Sequence, residues 1–176
     1  NFLTSEINEL LAEENLAYEF TDGLFYRRGR PQTQKNIKRV SAVLADVRYS
    51  SVRAYYQKAL SFYNSRPTID SENCIKEAVC ALEAFVEVLL GKKAAKDFDK
   101  AIQSKQGNRP DQIPPSIADG IIKIRAFRGN AQGVAHAALS GYPASEVEAE
   151  LCLSLVASYI TYLHDKYPQQ GEEVPF

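Results

Sequence analysis

Apolar residues recur along most of this chain with a helical period. Val52, Tyr55, Tyr56, Ala59, Leu60 and Tyr63 fall at i, i+3, i+4, i+7, i+8 and i+11, the spacing that lines up one face of a 3.6-residue helix. Arg66-Pro67 ends that stretch, because proline lacks a backbone donor and clashes with the preceding turn. Asp70 or Ser71 is placed to cap the next helix, which the pattern carries to Leu90, with Gly91 just beyond it. Its main stripe is Ile75, Val79, Leu82, Val86 and Leu89, widened by Ala78, Ala81, Ala84 and Val88. A helix apolar on nearly every face belongs at the centre of a bundle or against a partner chain.

The remaining helices are read the same way. Ile37, Val40, Val43 and Leu44 carry one amphipathic stretch. Lys96 to Ser104 predicts a short helix with Phe98 and Ile102 inward. Residues 105–115, with three prolines and a glycine, predict a loop. Ile117, Ile121 and Ile124 mark a helix ending near Phe127, and Gly129-Asn130-Ala131-Gln132-Gly133 reads as a turn. The last helix runs from about Ser145 to Tyr167, with one stripe of Ala149, Cys152, Val156, Ile160 and Leu163 and a second of Leu151, Leu155 and Tyr162.

The N-terminal end differs. Ile7, Leu10 and Leu11 predict a short helix capped by Thr4 or Ser5. Residues 18–26 place aromatic and apolar residues on either side of Asp22-Gly23, the pattern of a tight β-hairpin. Arg27 to Lys35, containing Pro31, reads as a basic connection. The expected fold is all-α: an up-and-down four-helix bundle over residues 31–168, with extra short helices, a helix-plus-hairpin appendage over 1–30 and a tail over 169–176.

Composition narrows the function classes. The 176 residues make one domain with a small appendage, and 45% hydrophobic residues are enough for a packed core. A formal charge of -1 argues against a strongly basic nucleic-acid wrapper. No apolar run reaches the ~20 residues of a membrane span, and the start lacks the basic and apolar regions of a signal peptide. Cys74, Cys80 and Cys152 form no CxxC pair; reduced thiols in a cytoplasmic protein are the expectation. The chain has no methionine, so it reads as part of a longer or processed polypeptide.

Chemistry centres on two histidines. His136 follows Arg128 by eight residues, with Gly129 and Gly133 between them. On a straight helix they would lie ~12 Å apart along the axis; a bend at either glycine brings them together. Imidazole exchanges a proton near neutral pH, and guanidinium offers a bidentate fork to phosphate. The alternative is a helix-capping arginine and a core histidine. His164, near the end of the last helix, reads as surface structure. The two histidines lie in no metal-ligand cluster, so no metal and no cofactor is expected. Glu77 shares a face with Ala81, Ala84 and Val88, and Glu83 flanks the main stripe. Each is either solvated or an acid that orients Arg128 or His136 from a neighbouring helix. Lys92 and Lys93 read as a solvated pair at a helix C-terminus.

Several segments carry a family likeness. "SENCIKEAVCALEA", the preceding "YYQKALSFYNSRP", the "GVAHAAL" turn, the closing "SEVEAELCLSLVASYITYL" and the opening "INELLAEENLAYEFTDGLF" together resemble, in order, abortive-infection proteins of the HEPN superfamily. The resemblance implies a HEPN four-helix core that dimerises with its groove at the dimer interface. It also implies metal-independent endoribonuclease activity, carried by an Arg, a following polar residue and a His four to six positions later. Arg128 and His136 match that signature with seven residues between them, and with Gly129 where a polar residue is usual and Asn130 one later.

Two functions follow as expectations. One is an RNA-cleaving effector of phage defence or a related stress response, a homodimer in which His136 moves protons and Arg128 holds phosphate. The other is a non-catalytic HEPN dimerisation or sensing module, joined to another domain of its parent chain, with the Ala81/Ala84 face as its interface. A nucleotide-binding regulator is a third class, supported only by the superfamily's character.

Overall fold

In the computed structural model, residues 2–14, 16, 18–27, 29–65, 67–91, 96–130 and 143–168 are described, without the side chains of Tyr26, Arg27 and Asn130. The elements run α1 (Phe2–Glu13), β1 (Tyr18–Thr21), β2 (Leu24–Arg27), α2 (Pro31–Val43), a 3-10 turn (Val47–Tyr49), α3 (Ser50–Tyr63), α4 (Ser71–Leu90), α5 (Phe98–Ser104), α6 (Pro115–Asn130) and α7 (Glu146–Lys166). The chain is mostly helical with one small antiparallel sheet, as the pattern of apolar positions predicts.

Helix α4 is the axis of the bundle. Asp70 caps it by accepting from the Asn73 amide, and Gly91 closes it at φ 90, a backbone conformation that favours glycine. Ten of its residues are buried, from Ser71 to Val86. It packs on α3 and α7, which cover most of its broad apolar surface. Ala81 is fully buried there, whereas Ala84 is half-buried and Val88 is 39% exposed. Tyr49 lies against Phe85 with centroids 5.1 Å apart, and Leu82, Phe85 and Val86 are wholly enclosed. Each such side chain contributes about 1.5–3 kcal/mol relative to exposure.

Helix α7 is the second central element. Ser145 and Glu148 form a reciprocal capping box at its start. The predicted stripe of Ala149, Cys152, Val156, Ile160 and Leu163 is buried throughout. The second stripe is not: Leu151 is exposed. Helix α2 lies along α7, tied by Asn36 to Ser154 and by Arg39 to Asp165 at 2.7 Å each.

Three boundaries differ from the sequence reading. Helix α1 begins at Phe2, so Thr4 and Ser5 lie in its first turns rather than capping it. Pro31 opens α2 as its first helical residue; its fixed φ suits that position and its missing N–H costs nothing there. The basic connection is therefore shorter than predicted. Arg30 caps that helix with no side-chain bond. Instead, buried Glu150 reaches across from α7, accepting from the Arg30 amide at 2.7 Å and from the Thr33 hydroxyl at 3.0 Å. The third difference is α6, which continues three residues past Phe127, through Arg128 and Gly129 to Asn130.

The N-terminal elements pack mainly on each other. Strands β1 and β2 pair from Tyr18↔Arg27 to Thr21↔Leu24, and Asp22 and Gly23 both take positive φ, as a two-residue turn of this type requires. Asn8 of α1 clamps the hairpin with two bonds, one to the Phe20 carbonyl and one from its amide. No residue of α1 is buried.

Candidate functional site

Arg128 sits in the last turn of α6, facing α4. Its Nη1 donates to Glu83 Oε2 at 2.9 Å and lies 3.5 Å from Cys80 Sγ. Glu83 and Cys80 are three apart on α4, so one face presents both. The other Glu83 oxygen accepts from Arg125 Nε at 2.8 Å, and Arg125 Nη1 reaches Asp99 at 3.3 Å. Arg125 also stacks over the Phe98 ring at 5.3 Å. Two guanidiniums and two carboxylates thus alternate across α4, α5 and α6.

The two arginines are used differently. Arg125 is committed through two nitrogens and a ring face, and the bond it donates to Glu83 pushes its pKa above the ordinary value. Arg128 spends only Nη1. Among the described residues its Nε and Nη2 bond no protein group, and its side chain keeps 25% of its surface open, beside 23% for Glu83. A guanidinium anchored at one corner retains two N–H groups on its other edge, the geometry that grips a phosphate. Burial pushes the Cys80 thiol up, partly offset by Arg128; it is a packed neighbour, not an activated nucleophile.

The structure brings Glu83 to Arg128 and does not bring Glu77 there. Glu77 lies two turns earlier on α4, 3% exposed. Its Oε1 accepts from Lys58 of α3 at 2.8 Å, with Lys76 at 3.9 Å. Among the described residues its Oε2 is buried with no hydrogen-bond partner. Glu77 is thus neither solvated nor a guide for Arg128; it is a buried acid holding Lys58, whose pKa it raises.

His164 lies edge-on to Tyr49 at 6.0 Å, with Nδ1 3.4 Å from Asp165. His136, with Gly133 and Ala131 to Tyr142 as a whole, lies outside the described residues, as do Lys92, Lys93 and the Asn130 side chain. Gly129 lies within α6, which continues to Asn130. Among the described residues no group of three His, Cys, Asp or Glu could hold a metal ion, and no helix is long and apolar enough to cross a membrane. The three cysteines are free; burial pushes the Cys74 thiol up to about 12.

Sequence reasoning missed Arg125, Asp99, Cys80 and Lys58 as parts of these clusters. Only the first left a signal: Arg125 and Arg128 are three apart, hence neighbours on one helix face. Compared with known proteins, the chain matches no family model, no curated protein and no solved structure.

Proposed function

We propose that this chain is a HEPN-type endoribonuclease domain that cleaves RNA without a metal, acting as a homodimer in a phage-defence or toxin-like protein. The observation that carries the reading is Arg128, fixed by Glu83 through one nitrogen, with its other edge bonded to no group among the described residues and its side chain 25% exposed. The ordered likeness of five sequence segments to HEPN proteins supports it.

In this reading Arg128 binds the scissile phosphate and the charge that grows on it. Glu83 is a positioning residue, holding the guanidinium so that little reorganisation is needed. His136 takes the proton from the ribose 2′-hydroxyl, whose oxygen then attacks phosphorus. The bond to the 5′-oxygen breaks, and that oxygen leaves with a proton supplied by the second copy's imidazole. The products are a 2′,3′-cyclic phosphate and a 5′-hydroxyl. DNA lacks the attacking hydroxyl and is inert.

One observation favours a second reading, a non-catalytic HEPN dimerisation or sensing module. The charge of Arg128 is already balanced by Glu83, and the four-residue cluster is neutral. Incubating the purified chain with RNA in chelator, then mapping the ends, separates the two. Cyclic-phosphate ends lost in Arg128→Ala and His136→Ala support the nuclease. Intact RNA at concentrations where the chain is dimeric supports the module.

A further inference from the structure

Glu77 repeats, earlier on α4, the device that Glu83 applies to Arg128. In both places a carboxylate of α4 holds a cation that arrives from a neighbouring helix. The Glu77 side chain is 4% exposed and that of Lys58 56%. Lys76 brings a second ammonium within 3.9 Å of the same oxygen, with its own side chain 48% exposed. A buried carboxylate with one oxygen unpaired adds little to stability beside an apolar residue of the same volume. What the burial of Glu77 does secure is the position of a lysine at the surface.

The two cations belong to one strip. Glu77, Cys80 and Glu83 follow each other on α4 at three-residue steps, each about 4.5 Å of helix axis. Arg128 spans Cys80 and Glu83, and Lys58 meets Glu77. Both act on the thiol between them. Burial pushes the Cys80 pKa up, Arg128 offsets this, and Glu77 adds to it. Lys58, raised chiefly by its bond to Glu77, also feels Cys80. Lys58 donates a single hydrogen bond among the described residues, so it and Arg128 both keep donors unspent. Three cations thus stand over two carboxylates, and Glu77 is the most buried of the five. Glu87, seven residues after Cys80 and so on the same face, has no cation partner among the described residues. The cationic row therefore runs from Arg128 toward Lys58 and Lys76, and not the other way.

We infer that Lys58 and Lys76 hold the phosphates next to the one that Arg128 grips, so that a single RNA strand lies along α4 from Arg128 toward Lys58. The inference rests on the reading of Arg128 as a phosphate ligand and adds the direction in which the strand leaves it. Lysine meets phosphate as a point charge, which suits a flexible backbone. Phosphate contacts fix the register of a strand without reading its bases, so this track is indifferent to sequence. Lys58 and Lys76 are positioning residues, and Glu77 holds the first of them in place.

The test is fluorescence anisotropy with a labelled 2′-O-methyl oligoribonucleotide of about eight nucleotides, whose blocked 2′-oxygen prevents cleavage. The informative variant combines Lys58→Gln with Glu77→Gln. It leaves the net charge unaltered and strands no carboxylate, so it should stay folded, as circular dichroism checks. It is expected to weaken binding about threefold or more, and to lower the slope of log Kd against log salt by about 0.7, the share of one phosphate contact. Lys76→Gln should act in the same direction. Lys123→Gln, exposed on the α6–α7 side, should change binding less than about twofold. In cleavage of the same sequence as plain RNA, the double variant should raise KM more than it lowers kcat. A parent that does not bind the strand, a double variant that binds like the parent, or a Lys123→Gln loss as large as that of Lys76→Gln would each overturn the inference. Cleavage by the parent reports separately. Cutting with no effect of the double variant on binding removes the track and keeps the nuclease; the expected binding pattern without cutting keeps the track and removes the nuclease.

Discussion

Glu83 holds Arg128 and Arg125 at once, one on each carboxylate oxygen, at 2.9 and 2.8 Å. A single side chain on α4 therefore sets the position of the last two turns of α6. Glu83→Gln keeps the shape but removes the charge that both guanidiniums use. Unfolding should become easier by about 1–2 kcal/mol, since charge-assisted bonds at half-open sites are worth that much. Arg128→Lys should leave the unfolding midpoint nearly unchanged while cutting RNA cleavage about 100-fold or more, because a point charge replaces the fork. Paired melting curves and initial rates check both.

Lys58 and Glu77 should behave asymmetrically. Lys58→Met strands a carboxylate that is 3% exposed, at a cost of about 2–4 kcal/mol. Glu77→Gln leaves only a neutral amide inside and a lysine that can turn to water. It should cost less, and the double variant should recover part of the Lys58→Met loss. Equal effects of the two single changes in urea titrations would contradict this account.

Asp46 starts the 3-10 turn. Arg48 donates to it from its side chain and its amide, holding the Asp46 carboxyl down at about 2. A carboxylate with a lowered folded pKa stabilises fully above its unfolded value, and that contribution is lost as pH falls through the folded one. The loss therefore falls between pH 3.8 and about 2. Arg48→Ala should move the Asp46 midpoint, followed by NMR, up toward 3.8. A midpoint that stays put would contradict the assigned cause.

Gly29 joins the hairpin to α2 at φ +91, and an added Cβ would lie 2.5 Å from the Tyr63 hydroxyl. Gly29→Ala meets both a strained backbone and a buried tyrosine. It should destabilise by about 1–3 kcal/mol. Gly23→Ala has positive φ but open space around it, so it should cost less. Denaturant midpoints of the two variants give the comparison.

Much of the fold was legible because burial imposes a period. The stripes of α3, α4 and α7 are set by which residues must avoid water, and the sequence repeats that pattern without help from elsewhere. Gly129 was read as a stop because glycine so often follows a helix, yet α6 runs through it to Asn130. Glu77 and Glu83 look alike in sequence. What separates them is which cation arrives from another helix, Lys58 from α3 or Arg128 from α6, and no local pattern records that. Glu150 left a faint sign, a carboxylate amid Ala149, Cys152 and Leu153, where an acid needs a partner to be tolerated.

The Glu150 bonds to Arg30 and Thr33 join residues 120 and 117 apart, and α2 rests chiefly on α7. While the chain is being made, α2 leaves the ribosome long before the surface it needs. Helices α3 and α4, linked by a short turn, can pair early. The first bundle helix must wait for the last, and a ribosome stalled anywhere before α7 would release a chain with α2 undocked and its apolar stripe bare, a ready substrate for chaperones and proteases.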